Sequence, residues 1–470
     1  ARVLLGVAAA ESEDQDRFDS GLAHARQALT LLDAASTKDW EQIADAHRII
    51  ALCLVRRGEN LAAIDLLKTN LPLHYVHLGA RSEALADEYV ILGEALGNMT
   101  RFAESEAAFN TGATMLRSQY GDDSNHLAYA LNQMGGMLYA KGDLERSEDL
   151  HRQVLKIHLA TLGPDHHDTL VAEFNLLGVI EQQGHYAQAL PQRLALLERA
   201  KTSTELSPIE KSQHYDAAAT DYRELGRFAE AEAASRQALA ILTPAGAVPG
   251  PQSTGAMRHL GLTLALQGHY AEAENLFRNA LAIKLKHGSP VSLGACGLRR
   301  DIGQVLRQQH RYTEAIQQLR ALTMDACMTA LQGTDPWRPL ALADLSQAQL
   351  DGGDSGGAYA TAAQALAYGR KALHDRYELG LPLLAMGRAE LARKHASAAE
   401  PLLREALALR LRVHPPADPR VLEIQVALID ALTNLKRSDE AQALRTQIEP
   451  LLTTSASPYL ADLHARLTHD

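Results

Sequence analysis

The chain has 470 residues, 46% of them hydrophobic and 5% aromatic, enough for two or three ordinary domains or for one extended array that never closes a single core. Lys and Arg number 46 against 57 Asp and Glu, so the formal charge of −11 supplies no long-range attraction for nucleic acid or anionic lipid. Three cysteines without a CxxC pair exclude a zinc ribbon and a disulfide-stapled small domain, and no apolar run reaches the roughly 18 residues of a membrane span.

The first residues, Ala1 to Ala10, are apolar but lack the basic flank and cleavage site of a signal peptide. The chain starts without an initiator Met and already in the frame of a repeat, so a processed form or a piece of something longer is expected. Its 11 Lys against 35 Arg, with abundant Ala and Leu, have the composition of a high-GC bacterial coding sequence.

From there one ruler runs to the end. Asp16, Gly58, Thr100, Gly142, Gly184, Gly226, Gly268, His310, Gly352, Lys394 and Lys436 stand 42 residues apart without insertion or deletion. Five residues after each of these anchors the residue is small: Gly21, Ala63, Ser105, Ser147, and so on to Ala441. Seven residues before, it is small at Ala9, Ala51, Gly93, Gly135, Ala219, Gly261, Gly303 and Gly387. Small residues on both flanks predict two helices that cross closely, helix A before each anchor and helix B after it. Helical spacing supports both, with Leu131, Met134 and Leu138 before Gly142 and Leu150, Val154 and Leu155 after it. Glycine at the anchor suits a left-handed helix end. The aromatic two places on, at Phe18, Phe102, Tyr186, Phe228, Tyr270 and Tyr312, is expected to pack over the turn rather than stack on a cofactor.

The pair Gly261 and Ala273, twelve apart, resembles the tetratricopeptide repeats, and the similarity extends over nearly the whole chain. The 42-residue unit, with Gly163-Pro164-Asp165-His166 as a joint, is similar to the lengthened kinesin-light-chain type. The resemblance implies an all-α, right-handed superhelical solenoid of about eleven helix-turn-helix repeats over residues 1–457. A capping helix is expected over 458–470, with Leu460, Leu463 and Leu467 on one face and Asp462, His464 and Arg466 outward. The pattern departs at Leu177, Leu345 and Ile429, where the small residue of helix A is lost. It departs again at Gly352, Gly353, Gly356 and Gly357, which predict a hinge over 351–357.

In the resembled family helix A lines the concave face, and the family's usual role is to scaffold protein–protein interactions. Nine and ten places before the central anchors, polar residues interrupt otherwise apolar helices: Asn132, Gln133, Asn175, Asp216, Arg258, His259, Arg300 and Asp301. These are the expected peptide-binding residues. The amides can pair with any peptide backbone, whereas Arg258 and Arg300 favour an acidic partner. The alternative is the sensor or regulatory region of a larger bacterial signalling protein, a serine/threonine kinase or a transcriptional regulator.

Catalysis is not expected. The chain has no Gly-Lys dipeptide, hence no P-loop, and no GxGxxG, HExxH or GxSxG pattern. No cofactor and no metal are expected. Asp165, His166 and His167 read as a repeat joint, and His74 with His77 lacks a carboxylate or cysteine at matching spacing. Cys296 and Cys327 flank the same anchor, where antiparallel helices can approach, but are read as half-buried thiols in a reducing compartment; a disulfide between them would overturn that reading. The expected location is cytoplasmic, or periplasmic behind an upstream membrane segment, with a protein or peptide as partner, no nucleic acid and no membrane insertion by this segment.

Overall fold

The computed structural model describes residues 1–12, 17–79, 81–244, 247–287, 292–324, 337–453 and 457–468. The described residues are helical between their turns, with no strand among them, and form an all-α repeat solenoid. They divide into two compact units, Ala1–Gln182 and Gln183–Asp470. The division falls within the fifth repeat, beside Leu177, where the small residue of the crossing position is lost.

Unit 1 holds four A/B hairpins, Arg2–Ser12 with Phe18–Asp33, Trp40–Arg56 with Asn60–Leu78, Glu83–Asn98 with Phe102–Tyr120 and Asn125–Lys141 with Leu144–Thr161, and then helix His167–Gln182. Unit 2 opens on Tyr186–Thr202 and continues through six hairpins. These are Pro208–Glu224 with Phe228–Leu242, Thr254–Gln267 with Tyr270–His287, Leu293–Gln308 with Tyr312–Met324, Trp337–Asp351 with Ser355–Ala372, Gly380–Ala392 with Ala396–Leu411, and Pro419–Asn434 with Ser438–Thr453. The last helix, Pro458–Thr468, buries Leu460, Leu463 and Leu467 against its neighbours.

Every described anchor lies in an A–B turn; Asp16 lies outside the described residues. The left-handed conformation is found at Gly142 and Gly268, and also at Thr100, His310, Lys394 and Lys436, which lack glycine's freedom. At Gly352 it moves one residue on, to Gly353. Helix A repeatedly starts on a Ser or Asp cap: Ser82 accepts from the Leu85 amide, Ser124 from that of Leu127 and Asp418 from that of Arg420.

The small residue seven before the anchor is a socket for the side chain nine after it. A Cβ at Gly93 would lie 2.8 Å from Phe109, one at Gly135 2.8 Å from His151 and one at Gly387 2.7 Å from Leu403. The small residue five after the anchor closes the same crossing, and where it is serine it donates to helix A: Ser105 Oγ to the Gly93 carbonyl at 2.6 Å, Ser147 Oγ to that of Gly135 at 2.8 Å. At Leu345 the crossing survives because the next residue takes the role, Ser346 Oγ donating to the Ala358 carbonyl at 2.8 Å.

The glycine-rich stretch over 351–357 is tied more firmly than its composition implies. Asp351 pairs with Arg307 at 3.2 Å and Arg388 at 2.6 Å, and Asp354 Oδ1 accepts from the Gly357 amide at 2.8 Å. The cysteine reading needs correction. Cys296 is disulfide-bonded, while Cys53 is buried and Cys327 lies outside the described residues. A bridge needs only two Cα atoms within about 4.4–6.8 Å on adjoining segments, not a CxxC spacing, so the ground for a reducing compartment falls away. No helix among the described residues is long and apolar enough to cross a membrane.

Candidate partner-binding site

Unit 2 curls so that its last repeats return beside its first. Arg420 Nη1 meets Glu224 Oε2 at 2.7 Å, the hydroxyls of Tyr186 and Tyr377 lie 3.2 Å apart, and Arg307 Nη2 reaches Glu423 Oε1 at 3.2 Å. The A–B turns are covered in the same way: Gly226 lies under Pro415 and Gly268 under Pro458. Helix A of successive repeats and the returning helices enclose a cavity of about 320 Å³, whose charged wall includes Arg223, Arg258, Asp301, Arg307, Arg410 and Arg420.

An arginine–carboxylate ladder runs along the wall, each rung joining helix A of one repeat to that of the next. Arg258 Nε donates to Asp301 Oδ2 at 2.5 Å, Arg300 Nε to Asp344 Oδ2 at 2.6 Å, and Gln304 Nε2 to Asp344 at 3.0 Å. Arg258 and Arg300 also lie over the Trp337 ring, 5.4 and 5.9 Å from its centroid. Burial works against the Arg258 guanidinium, but Asp301 outweighs it and raises its pKa. Burial likewise disfavours the Glu224 carboxylate, yet Arg420 and Arg223 bring it down to about 2. Glu423, bonded to the Tyr459 hydroxyl at 2.7 Å, is held below the usual carboxylate range by Arg307 and Arg388 despite its burial.

Two cations on this wall stand apart. Arg410 is buried and makes no ion pair among the described residues; it lies 3.4 Å from His414 Nε2 and 5.6 Å from the Tyr377 ring centroid, and burial, then Arg420, lower its pKa. Arg223 donates to Glu224 at 3.3 Å, but its Nη1 has no partner.

The residues expected from sequence are distributed over both units. Asn132, Gln133 and Asn175 lie in unit 1, where Asn175 Nδ2 donates to Asn132 Oδ1 at 3.1 Å and Gln133 Nε2 to Glu94 Oε2 at 3.4 Å. Arg258, Arg300 and Asp301 line the unit 2 cavity, but both arginines are already matched by carboxylates of the chain. Asp216 and His259 are in unit 2 beside that wall. Burial pushes Asp216 up to about 7 and, with Arg223 and Arg258 nearby, His259 down to about 3. His74 and His77 separate: His74 is buried, while His77 stacks on Trp40 with ring centroids 3.8 Å apart.

Sequence reasoning missed Asp344, eight places before its anchor, where other repeats carry Leu92, Met134, Leu176, Leu260, Ile302 and Leu428. That polar departure was a readable signal. Arg410, Arg420 and Glu423 had none, because they reach the wall from repeats that return to it through the curl of unit 2.

Residues 126–201 and 210–286 match the tetratricopeptide repeat family. Those stretches of the chain carry tetratricopeptide repeats. Among solved structures, this repeat protein is similar to BtubC (BKLC) from P. vanneervenii, 16% identical over 48% of this chain and 90% of that one, with a TM-score of 0.43. It is also similar to the nearly identical TPR-like repeats of a putative kinesin light chain from Podosopora anserina, 20% identical over 43% and 97%, TM-score 0.34. The APC/C hetero-tetramer Cut9–Hcn1 is 14% identical over 99% and 96%, TM-score 0.42. No curated protein matches the chain.

Proposed function

We propose that the chain scaffolds protein interactions, as tetratricopeptide repeat proteins in general do, by holding a partner polypeptide, and that the unit 2 cavity receives an acidic group of that partner. The observation behind this reading is Arg410, a buried guanidinium with no carboxylate at ion-pair distance among the described residues, Glu378 and Glu224 acting on it only from farther away, on the same wall as the unpartnered Nη1 of Arg223. A buried charge without a partner costs several kcal/mol, and an incoming carboxylate would offset that cost with charge-assisted, two-pronged hydrogen bonds. The acidic preference therefore moves from Arg258 and Arg300, which the chain neutralises itself, to Arg223 and Arg410. The amides Asn132, Gln133 and Asn175 remain as the contacts for peptide backbone in unit 1, with Asp216, His259 and Asp301 supporting the unit 2 wall. A volume of about 320 Å³ is at the lower end of the roughly 300–1,000 Å³ of ligand pockets. That size also favours a second reading, in which a small acid is sensed by the regulatory region of a larger bacterial signalling protein.

The test uses the chain as bait in three forms: wild type, Arg223→Met with Arg410→Met, and Asn132→Ala with Asn175→Ala. The arginine variant is expected to lose partners that wild type retains, and wild-type capture is expected to weaken as salt is raised. Equal capture by wild type and the arginine variant would move the binding surface elsewhere.

A further inference from the structure

Twelve places before the anchor stand Ala46, Ala130, Ala172 and Ala256, but Glu88 in the third repeat and His214 in the sixth. His47, eleven places before its anchor, and His74, sixteen after it, stand at positions that other repeats fill either with leucine, as at Leu131 and Leu116, or with polar residues, as at Glu173 and His158. Glu88, His47 and His74 meet at one point in unit 1. His47 Nδ1 lies 3.2 Å from His74 Nε2, His74 Nδ1 lies 2.7 Å from Glu88 Oε2, and one ligand atom of each lies within 4.8 Å of the others. All three are buried, at 8%, 1% and 0% exposure.

The carboxylate sets the chemistry of the trio. Glu88 Oε2 accepts from His74 Nδ1–H, which leaves the lone pair of His74 on Nε2, directed at His47 Nδ1. Carboxylate, imidazole and metal in that order is the usual way a protein orients a ligating histidine. The 3.2 Å between the facing nitrogens is close to the edge of a tetrahedron, about 3.3 Å, for two nitrogens about 2.0–2.1 Å from one zinc ion. A hydrogen bond between the two imidazoles accounts for that distance too, but it brings no positive charge to the buried carboxylate. It also leaves a carboxylate where alanine would pack, and the desolvation of that charge is unfavourable without a compensating cation. Trp40 lies against the cluster, its ring edge-on to His74 with centroids 6.4 Å apart, and shields it from water.

We propose that His47, His74 and Glu88 form a site for one divalent transition-metal ion of the zinc class, with His47 Nδ1 and His74 Nε2 as ligands and Glu88 as the carboxylate that orients His74 and balances charge. Imidazole ligands select zinc, copper or nickel over magnesium and calcium. The ion clips helices Trp40–Arg56, Asn60–Leu78 and Glu83–Asn98 together across the second and third repeats. The site is independent of the unit 2 cavity and of any partner bound there.

The full chain, stripped with a chelator, is titrated with Zn²⁺ and separately with Co²⁺, whose visible d–d absorption reports its coordination. Wild type is expected to bind one equivalent with a Co²⁺ spectrum and a raised melting temperature. Binding is expected to be lost in His47→Leu with His74→Leu, a pair that restores the residue found at those positions in other repeats. It is expected to weaken 10–100-fold in Glu88→Gln and to be unchanged in His77→Ala. A wild type without a Co²⁺ spectrum would overturn the site, as would stoichiometric binding retained by the double variant, which would mark surface histidines as the ligands. If the double variant does not fold by circular dichroism, Glu88→Gln decides, and unchanged affinity there would overturn the proposal.

Discussion

In unit 1 the polar positions of helix A carry amides that bond to each other, Asn175 to Asn132, and an anchor glycine such as Gly142 has nothing within 4 Å of where its Cβ would be. In unit 2 the same ruler positions carry Arg258, Arg300 and Asp301, and the anchor glycines Gly184, Gly226 and Gly268 face side chains of the returning repeats. The difference teaches that the period sets the hairpin and not the groove. Neutral amides leave a surface open to any backbone, whereas alternating charges lock neighbouring helices to each other and to repeats far along the chain. Unit 2 should therefore depend on its ion pairs for cohesion, and unit 1 on its apolar sockets.

The sharpest way to break that comparison is to remove one polar group from each groove's network. Glu423 is buried and bonded to Arg307, Arg388 and Tyr459, so Glu423→Gln leaves Arg307 and Arg388 with Asp351 as their shared carboxylate and is expected to destabilise the chain by about 2–3 kcal/mol. Asn175→Ala removes one neutral hydrogen bond at the unit 1 position and is expected to cost about 1 kcal/mol. Chemical denaturation of both variants checks the pair. Equal losses would remove the distinction between the grooves.

The turns give a second contrast. Gly142 and Gly268 have almost the same backbone, φ 86° and 87°. Alanine at either is expected to cost about 1 kcal/mol for the left-handed conformation. Only at Gly268 does the new Cβ run into Pro458 Cδ, so Gly268→Ala is expected to lose about 1–3 kcal/mol more and to loosen helix Pro458–Thr468. Faster hydrogen exchange in that helix, with none in Gly142→Ala, is the expected signature. If Gly268→Ala costs no more than Gly142→Ala, the covered turns do not hold the curl together.

These contrasts also mark what was legible. The period, the A and B helices and the turns followed from small residues at two fixed offsets, because helix crossing is local and repeats at every unit. The wall of the cavity was half legible: Arg258, Arg300 and Asp301 stood out as polar residues in apolar helices, and Asp344 stood out equally at an apolar position. Arg410 and Glu423 were not legible, since what places them is the curvature summed over several repeats rather than any spacing. The trio His47, His74 and Glu88 was hidden for the opposite reason. Its members sit at three different ruler positions in two repeats, and pairing His74 with the nearer His77 drew attention along one helix instead of across three.

Acid tests one socket of unit 1. His151 sits in the Gly135 socket, and burial alone, with no charged neighbour contributing, pushes its pKa down from 6.5 to about 4. Because the folded value lies below the unfolded one, the stabilising contribution is complete above pH 6.5 and is lost as pH falls towards 4. At pH 5 the loss is about 2 kcal/mol. Leu319 and Leu403 occupy the same ruler position, so His151→Leu fits the socket and is expected to reduce the pH dependence of stability between 6.5 and 4 by the share of one histidine, His47, His214, His259 and His414 keeping theirs. An unchanged slope would place the acid-labile group elsewhere.

The smallest effect is a gain. Thr100 holds a left-handed turn at φ 58°, a conformation that brings Cβ close to the carbonyl and is worst for a β-branched residue. Glycine, found at the equivalent anchor in Gly58 and Gly142, removes that strain, although it also frees the unfolded chain. The net expectation for Thr100→Gly is a stabilisation of about 1 kcal/mol. His310 is the same anchor in unit 2, at φ 57°, but its side chain bonds the Tyr312 hydroxyl at 2.6 Å and lies 3.8 Å from Asp462 of the last helix. His310→Gly trades relief of strain for loss of those contacts and is expected to gain less than Thr100→Gly. Denaturation midpoints of the two variants measure the difference directly. A His310→Gly gain equal to or above that of Thr100→Gly would show that the contact with the last helix contributes nothing at this turn, and that unit 2 is closed by its interior ion pairs alone.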